Sequence, residues 1–542
     1  MKIKNPVIPG FHPDPSLVRV GKDYYIATST FEWFPGVRIH HSKDLVNWEL
    51  ATYALTDETA VNMTGVDMSC GIWAPNLTYD SGTFYLAYTI VYTDRSKFKD
   101  THNFVITAKD IKGPWSKPIP LSRSGFDPSI FHDTDGKKYL VNMTMDYREN
   151  KNRFSGIDVQ EYDAVSKKLM GEPVRVFRGT SRGTTEGPNI MKRGGWYYLV
   201  CAEGGTGIRH CVTIVRSKSI YGPYEECPYN PIMTALDKPE CELQRAGHAQ
   251  VIEGGDGNWY MAHLCSRPLK GYSILGRETG IQNVHWTNDG WFRLTANDSG
   301  NPELYFELPD SEKTRKGLNP AAENIKDNVP YSGVRHNNRS EKTTFESGEI
   351  PLSYMTLRRS FKTNGIEVKD GVLRIQGGGS LASKFQQGLL ARPQQSFNCD
   401  FTAAMRFSPR NLNHMAGLLV YYNCDNCYHL RITKDEEGKL INLTSVINKN
   451  MNDSAPIYLP EETDIYYLKA EIRREEVRFY YSFNGENYQE VGQVQDMKNI
   501  SDEHIEGNGF TGSMVGVNCS DLQGDGVYAD FLYLDYKEID MV

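Results

Sequence analysis

Long apolar runs are missing from this chain. No stretch approaches the roughly 18 consecutive apolar residues of a membrane-spanning helix, and the mean hydropathy is -0.52, so a membrane partner is not expected. Extended basic runs are missing too: 60 Lys and Arg stand against 68 Asp and Glu, a formal charge of -8. A phosphate backbone would find no track of cations to follow, which argues against nucleic acid as a partner. Cysteine is sparse, ten residues in 542, and irregularly spaced, which suits free thiols in a reducing compartment better than a disulfide framework. Cys424 and Cys427 form a C-x-x-C, but a structural zinc needs four ligands and no second pair stands at a matching distance, so the pair reads as a hairpin turn. The opening Met-Lys-Ile-Lys-Asn-Pro runs straight into Gly10-Phe-His-Pro-Asp14 without the apolar core of a secretory signal. Cytoplasmic residence is therefore expected, and Asn-x-Ser/Thr triplets such as Asn76-Leu-Thr78 carry no meaning there.

Aromatic residues are abundant, at 11% with 32 Tyr. They sit in short Tyr/Val/Ile/Leu-rich runs bounded by Gly, Asp and Asn, with no helical period, so the chain reads as all-β. Its length implies two or more domains.

Five segments of the first half look alike. They open at Asp14-Pro-Ser-Leu-Val, Ala74-Pro-Asn-Leu-Thr, Asp127-Pro-Ser-Ile-Phe, Glu186-Gly-Pro-Asn-Ile and His248-Ala-Gln-Val-Ile, and each continues through a Gly- or Asp-containing turn into an aromatic strand. The lead positions 14, 74, 127, 186 and 248 are separated by 60, 53, 59 and 62 residues, a period suited to a propeller blade with long loops. Five repeats predict a five-bladed β-propeller, in which innermost strands converge on the axis. Asp14, Asp127, Glu186 and His248 are then expected to share one pocket. Singly, Asp-Pro and Glu-Gly are ordinary turn punctuation; their recurrence at one point of each repeat is what a solvated turn does not explain.

After about residue 310 a polar stretch, Ser-Glu-Lys-Thr-Arg-Lys-Gly then Asn-Pro-Ala-Ala-Glu-Asn, reads as a linker. Runs such as Ala416-Gly-Leu-Leu-Val-Tyr-Tyr and Val477-Arg-Phe-Tyr-Tyr-Ser-Phe then predict an antiparallel β-sandwich. The expected division is a propeller over 1–310, a linker over 311–330 and a sandwich over 331–542.

Several motifs in this order resemble glycoside hydrolase family 43, within it the β-xylosidases with an appended C-terminal domain: Gly10-Phe-His-Pro-Asp14-Pro-Ser, Thr28-Ser-Thr-Phe31-Glu-Trp-Phe-Pro-Gly36, Gly71-Ile-Trp73-Ala-Pro, Gly125-Phe-Asp127-Pro-Ser, Thr185-Glu186-Gly-Pro, Gly247-His248 and Leu275-Gly-Arg277-Glu-Thr. The resemblance runs nearly end to end. It implies a general base at Asp14, a modulating acid at Asp127 and a general acid at Glu186. It also implies an inverting mechanism, which keeps one carboxylate ionised to activate water and one carboxyl protonated for the leaving oxygen. A charged Asp127 beside Glu186 would help to keep Glu186 protonated. Phe31 and Trp73 are candidates for the apolar faces of a sugar, although core packing is an equal reading for the neighbouring Trp33. Arg277 is a candidate donor to hydroxyls, and His248 is a site residue without an assigned role. For the second domain the resemblance implies a concanavalin-like jelly roll that closes over the propeller, with Phe510 of Gly509-Phe-Thr-Gly512 as a pocket wall, so that only ends of small oligosaccharides fit. No cofactor is required and no metal ligand set is assigned; a structural Ca2+ on the axis and a homo-oligomer are left open.

The departures are Asn142-Met-Thr-Met145, where relatives carry an aromatic, and the short segment between Arg267-Pro268 and Leu275. Competing readings are an α-L-arabinofuranosidase, a non-catalytic sugar-binding propeller, and a serine hydrolase built on Gly179-Thr-Ser181-Arg-Gly183. The last needs a helix after the turn, which Thr-Thr-Glu-Gly-Pro188 opposes.

Overall fold

The computed structural model describes residues 1–94, 98–308 and 339–539. The expected linker at 311–330 and the boundaries at 310 and 331 lie outside these residues. What is described on either side is an all-β chain in two parts, as the period and patterning require.

Strand formation follows from β-branched and aromatic residues set between turns that demand left-handed backbone. Asp80 and Thr83 are joined by Ser81-Gly82 (φ 48° and 76°), and Arg193 and Trp196 by Gly194-Gly195 (φ 57° and 75°). Positive φ at both central residues is the type I′ turn, whose twist matches a tight hairpin.

Five antiparallel sheets make the propeller. Their innermost strands are Ser16–Val20, Asn76–Asp80, Phe126–His132, Glu186–Arg193 and Gln244–Glu253. The wheel is tied at its ends by the pairing of Lys2–Lys4 with Tyr305–Glu307. Around the axis, polar side chains two residues beyond the blade entrances link one blade to another. Ser16 Oγ donates to Gln250 Oε1 at 2.7 Å, Asn76 Nδ2 donates to Asn189 Oδ1 at 2.8 Å, and Asn76 Oδ1 accepts from Ile130 N at 3.1 Å.

This ring corrects the repeat register. Ser16, Asn76, Ser129, Asn189 and Gln250 occupy one position, since each pairs with a small aliphatic residue of the next strand: Ala27, Ala87, Val141, Val200 and Ala262. The equivalent entrances two residues earlier are therefore Asp14, Ala74, Asp127, Gly187 and His248. Glu186 stands one residue ahead of its blade's slot. The alignment of Pro15, Pro75, Pro128 and Pro188 carried this register in the sequence.

The second part stacks a nine-stranded sheet on a seven-stranded one. Strands such as Ile465–Arg473 alternate strictly between buried and half-buried residues, as a sandwich face requires. The two parts share a hydrophobic core: Phe31, Trp33, Ile72 and Trp73 of the propeller are continuous with Met355, Leu389, Tyr421 and Met514 of the sandwich. A short ladder pairs Phe34 with Thr356 and Trp33 with Leu357.

Candidate active site

A cavity of about 200 Å³ opens at the mouth of the propeller, and all eight expected residues, Asp14, Phe31, Trp73, Asp127, Glu186, His248, Arg277 and Phe510, line it. The entrances hold unusual backbone. Asp14, Asp127 and His248 take φ of 55°, 54° and 44°, and Gly187 takes 56° at the fourth. Left-handed conformation in three non-glycine residues costs free energy and aims side chains that an extended strand would point elsewhere. Gly187 is needed for space as well, because a Cβ there would stand 3.0 Å from the His248 ring.

On the first-blade wall, Asp14 accepts from Ser29 Oγ at 2.6 Å and from Arg277 Nη1 at 3.3 Å, and His248 Nδ1 stands 3.9 Å away. Burial alone would raise the Asp14 carboxyl, but Arg277, then His248 and the Ser29 hydroxyl, outweigh it and hold the group below its ordinary value. Asp14 is an ionised acceptor.

The opposite wall has no such cation in contact. Burial raises Glu186 to about 7, with the Asp14 charge adding to the rise while Lys99 and Arg277 oppose it. Burial pushes Asp127 well above the usual carboxylate range, helped by the charges of Glu186 and Asp14 and opposed by the Gly187 N–H and Lys99. That N–H donates to Asp127 Oδ2 at 3.0 Å. The expected charged Asp127 beside a neutral Glu186 is thus replaced by an acid pair that titrates together and retains a proton near neutral pH.

Glu186 is positioned from behind. Glu203, buried, accepts from Thr180 N at 2.7 Å and Thr185 Oγ at 2.7 Å. A Cβ at Gly179 would stand 2.0 Å from that Thr185 oxygen. The Gly179–Gly183 stretch is therefore a turn tied to Glu203, no helix follows it, and Ser181 is exposed, so the serine-hydrolase reading fails on structure.

The sandwich completes the pocket. Phe510 lies 5.7 Å from the Phe31 ring and 5.5 Å from the Trp73 ring, and its carbonyl accepts from Arg277 Nη2 at 3.0 Å. Its loop is held by Ser513 N donating to Ile274 O at 2.9 Å, and glycines on both sides permit the approach: a Cβ at Gly276 would meet Thr511 O at 1.8 Å, and one at Gly512 would meet Leu275 O at 2.6 Å. The short segment before Leu275 is where this loop docks, with Ser273 N donating to Glu503 Oε2 at 2.6 Å. Arg277 Nε, buried, has no protein partner.

Trp33 is fully buried between the domains, edge-on to Tyr421, so core packing is its role, while Trp73 faces the cavity. Asn142 donates to Ser124 O at 2.7 Å and lines no part of the pocket. Cys424 falls in the hairpin turn between the strands His414–Asn423 and Asn426–Lys434, and Cys427 is the second residue of the latter. Among the described residues, no group of three or more His, Cys, Asp or Glu is placed to hold a metal ion.

Sequence reasoning missed several lining residues: Lys99, Phe126, Phe154, His210 and Asn508. Lys99 rests 4.5 Å from the Trp73 ring centre and pairs with Asp94 at 3.1 Å; Asp94 also accepts from Asn508 of the sandwich. Burial pushes His210 down to about 3, and its ring lies against Gly247, where a Cβ would reach it at 2.1 Å. The run Gly204-Gly205-Thr-Gly207 ahead of His210 was the available signal.

A pocket that lowers one carboxyl and raises another meets what acid–base hydrolysis of a glycoside requires. Comparison with known proteins agrees. The model of glycosyl hydrolases family 43 matches residues 3–292, and that of the beta xylosidase C-terminal concanavalin A-like domain matches residues 342–537. The chain belongs to glycosyl hydrolase family 43. It is similar to a beta-xylosidase of Bacillus subtilis, 41% identical over 556 residues that cover 99% of this chain and 100% of that protein. It is also similar to a non-reducing end alpha-L-arabinofuranosidase of Bacteroides ovatus, 31% identical over 99% of this chain and 95% of that one. The crystal structure of a xylan beta-1,4-xylosidase from Bacillus halodurans superposes with a TM-score of 0.91 at 44% identity, covering 99% of this chain and 100% of that one.

Proposed function

We propose that the protein is an inverting exo-glycosidase that releases xylose from the non-reducing end of β-1,4-xylo-oligosaccharides. The arrangement that carries this reading is Asp14 held by Arg277 and Ser29 across the pocket from the buried Glu186, with Phe510 in the wall. Asp14, held ionised by Arg277 and Ser29, takes a proton from the attacking water. Glu186, held protonated by burial, gives its proton to the leaving oxygen. Asp127, fixed by the Gly187 N–H, titrates with Glu186 and shares in keeping a proton on that wall. Arg277 lines the pocket as a candidate donor to a sugar hydroxyl, and His248 buttresses Asp14. The chemistry needs no cofactor.

The chain-end reading rests on Phe510 and Asn508, which bring the sandwich into the pocket wall. The pentose reading rests on the relatives, xylosidases and an arabinofuranosidase. The similarity to xylosidases at 41% and 44% identity supports xylose. The ten free thiols suit the cytoplasm.

Arabinofuranoside cleavage is the second reading, favoured by the Bacteroides ovatus relative. Initial rates on an aryl β-xyloside and an aryl α-arabinofuranoside decide between them. A higher kcat/KM on the xyloside is expected, and an arabinoside rate far above it would reverse the assignment.

A further inference from the structure

A second cavity, of about 360 Å³, lies at the seam between the first blade and the sandwich, apart from the catalytic pocket. Arg38 and His40, both on the propeller strand Gly36–Ser42, face it from one side; Arg339, Arg392 and Gln395 face it from the other. Arg38 is 1% exposed. Its Nη1 donates to Phe11 O at 2.6 Å and the guanidinium lies 4.5 Å from the Phe11 ring centre, but its Nε and Nη2 have no hydrogen-bond partner, and among the described residues no carboxylate pairs with it. Arg392, 3% exposed, uses Nη1 on Glu341 at 2.6 Å and leaves Nε without a partner; His40 Nδ1 is likewise unpartnered.

A guanidinium withdrawn from water without a counter-charge is costly, and arginine, unlike lysine or histidine, does not readily escape by losing its proton. Arg38 is such a group, and Arg392, whose one carboxylate partner is Glu341, lines the same space from the other domain. The wall charges do not cancel: Arg38, Arg339 and Arg392 are met by Glu341 and by Glu538, which is 3.9 Å from Arg339.

We propose that this seam is a binding site for a small inorganic oxyanion of the phosphate class, held by Arg38 of the propeller and by Arg392 and Arg339 of the sandwich, and that the bound anion bolts the two domains together. The planar guanidinium fork fits tetrahedral oxyanions through paired donors, and chloride cannot satisfy that geometry. His40, neutral because burial lowers it to about 3, adds a ring nitrogen without demanding a second charge.

Calorimetric titration and thermal unfolding of the full chain test this, with inorganic phosphate, sulfate and acetate compared with chloride at matched ionic strength. Phosphate and sulfate are expected to bind once per chain and to raise the unfolding midpoint progressively with concentration, since a ligand of the native state stabilises it by mass action. Arg38→Met and Arg339→Gln are each expected to weaken that binding by about tenfold or more, the loss of one charge-assisted contact. Arg339, partly exposed, provides a variant that folds even where Arg38→Met does not. Absence of saturable binding by either oxyanion overturns the proposal, as does binding that survives both substitutions or a response to acetate alone.

Discussion

The two walls of the catalytic pocket bury their carboxyls to the same degree, 6% exposed for Asp14 and 7% for Asp127 and Glu186, yet drive them in opposite directions. Burial raises all three. What separates them is chiefly Arg277, which reaches Asp14 at 3.3 Å with His248 and the Ser29 hydroxyl beside it, whereas the Lys99 that faces Glu186 and Asp127 is engaged by Asp94 and lies over aromatic rings. Acid and base are thus distinguished by where cations are anchored. Arg277 is anchored across the domain boundary, on the Phe510 carbonyl, so the sandwich helps to set the charge of the propeller's base.

Exchanging the carboxyls for amides breaks this comparison most severely. Asp14→Asn should lower kcat by about a hundred- to ten-thousand-fold on every substrate, because water activation is always needed. Glu186→Gln should lose as much on xylobiose but far less on an aryl xyloside whose leaving group departs without a proton. Equal losses on both substrates would contradict the acid assignment.

Arg277→Met is next in size. Loss of its charge-assisted contact should cost about ten- to a hundred-fold in kcat/KM. The acid limb of the pH–rate profile should also move upward, since the group that holds Asp14 below its ordinary value is gone. An unmoved limb with unchanged KM would show that Arg277 does not set the base.

Lys99→Met sharpens the comparison from the other wall, with the smallest effect. Lys99 opposes the rise of Glu186, so its removal should shift the alkaline limb upward from about 7 and keep the acid active at higher pH, with peak kcat changed only severalfold. A downward shift, measured across the same buffers, would remove Lys99 from the acid's surroundings.

Asp14, Asp127 and His248 were legible because a repeat fixes position: residues at one point of successive blades must meet at the axis. Glu186 was placed in that slot itself, and the ladder pairing of Asn189 with Val200 shows it one residue ahead, an offset that the alignment of Pro188 with Pro15, Pro75 and Pro128 already held in the sequence. Phe510 and Arg277 were reached through motif resemblance rather than repetition. Lys99, His210 and Asn508 were not found, since they come from loops whose length and path no period constrains.

By itself the sequence determined the all-β character, the five-fold repeat, the second β domain and the three acids, because alternation, turn chemistry and spacing are local properties written along the chain. Only the tertiary structure decided which carboxyl is charged, which lysine faces the acid pair, and how the sandwich wall meets the propeller. Those outcomes depend on burial and on distances between groups more than two hundred residues apart, Arg277 from Asp14 and Phe510 from Arg277, which Coulomb interaction and desolvation read in space and not along the chain.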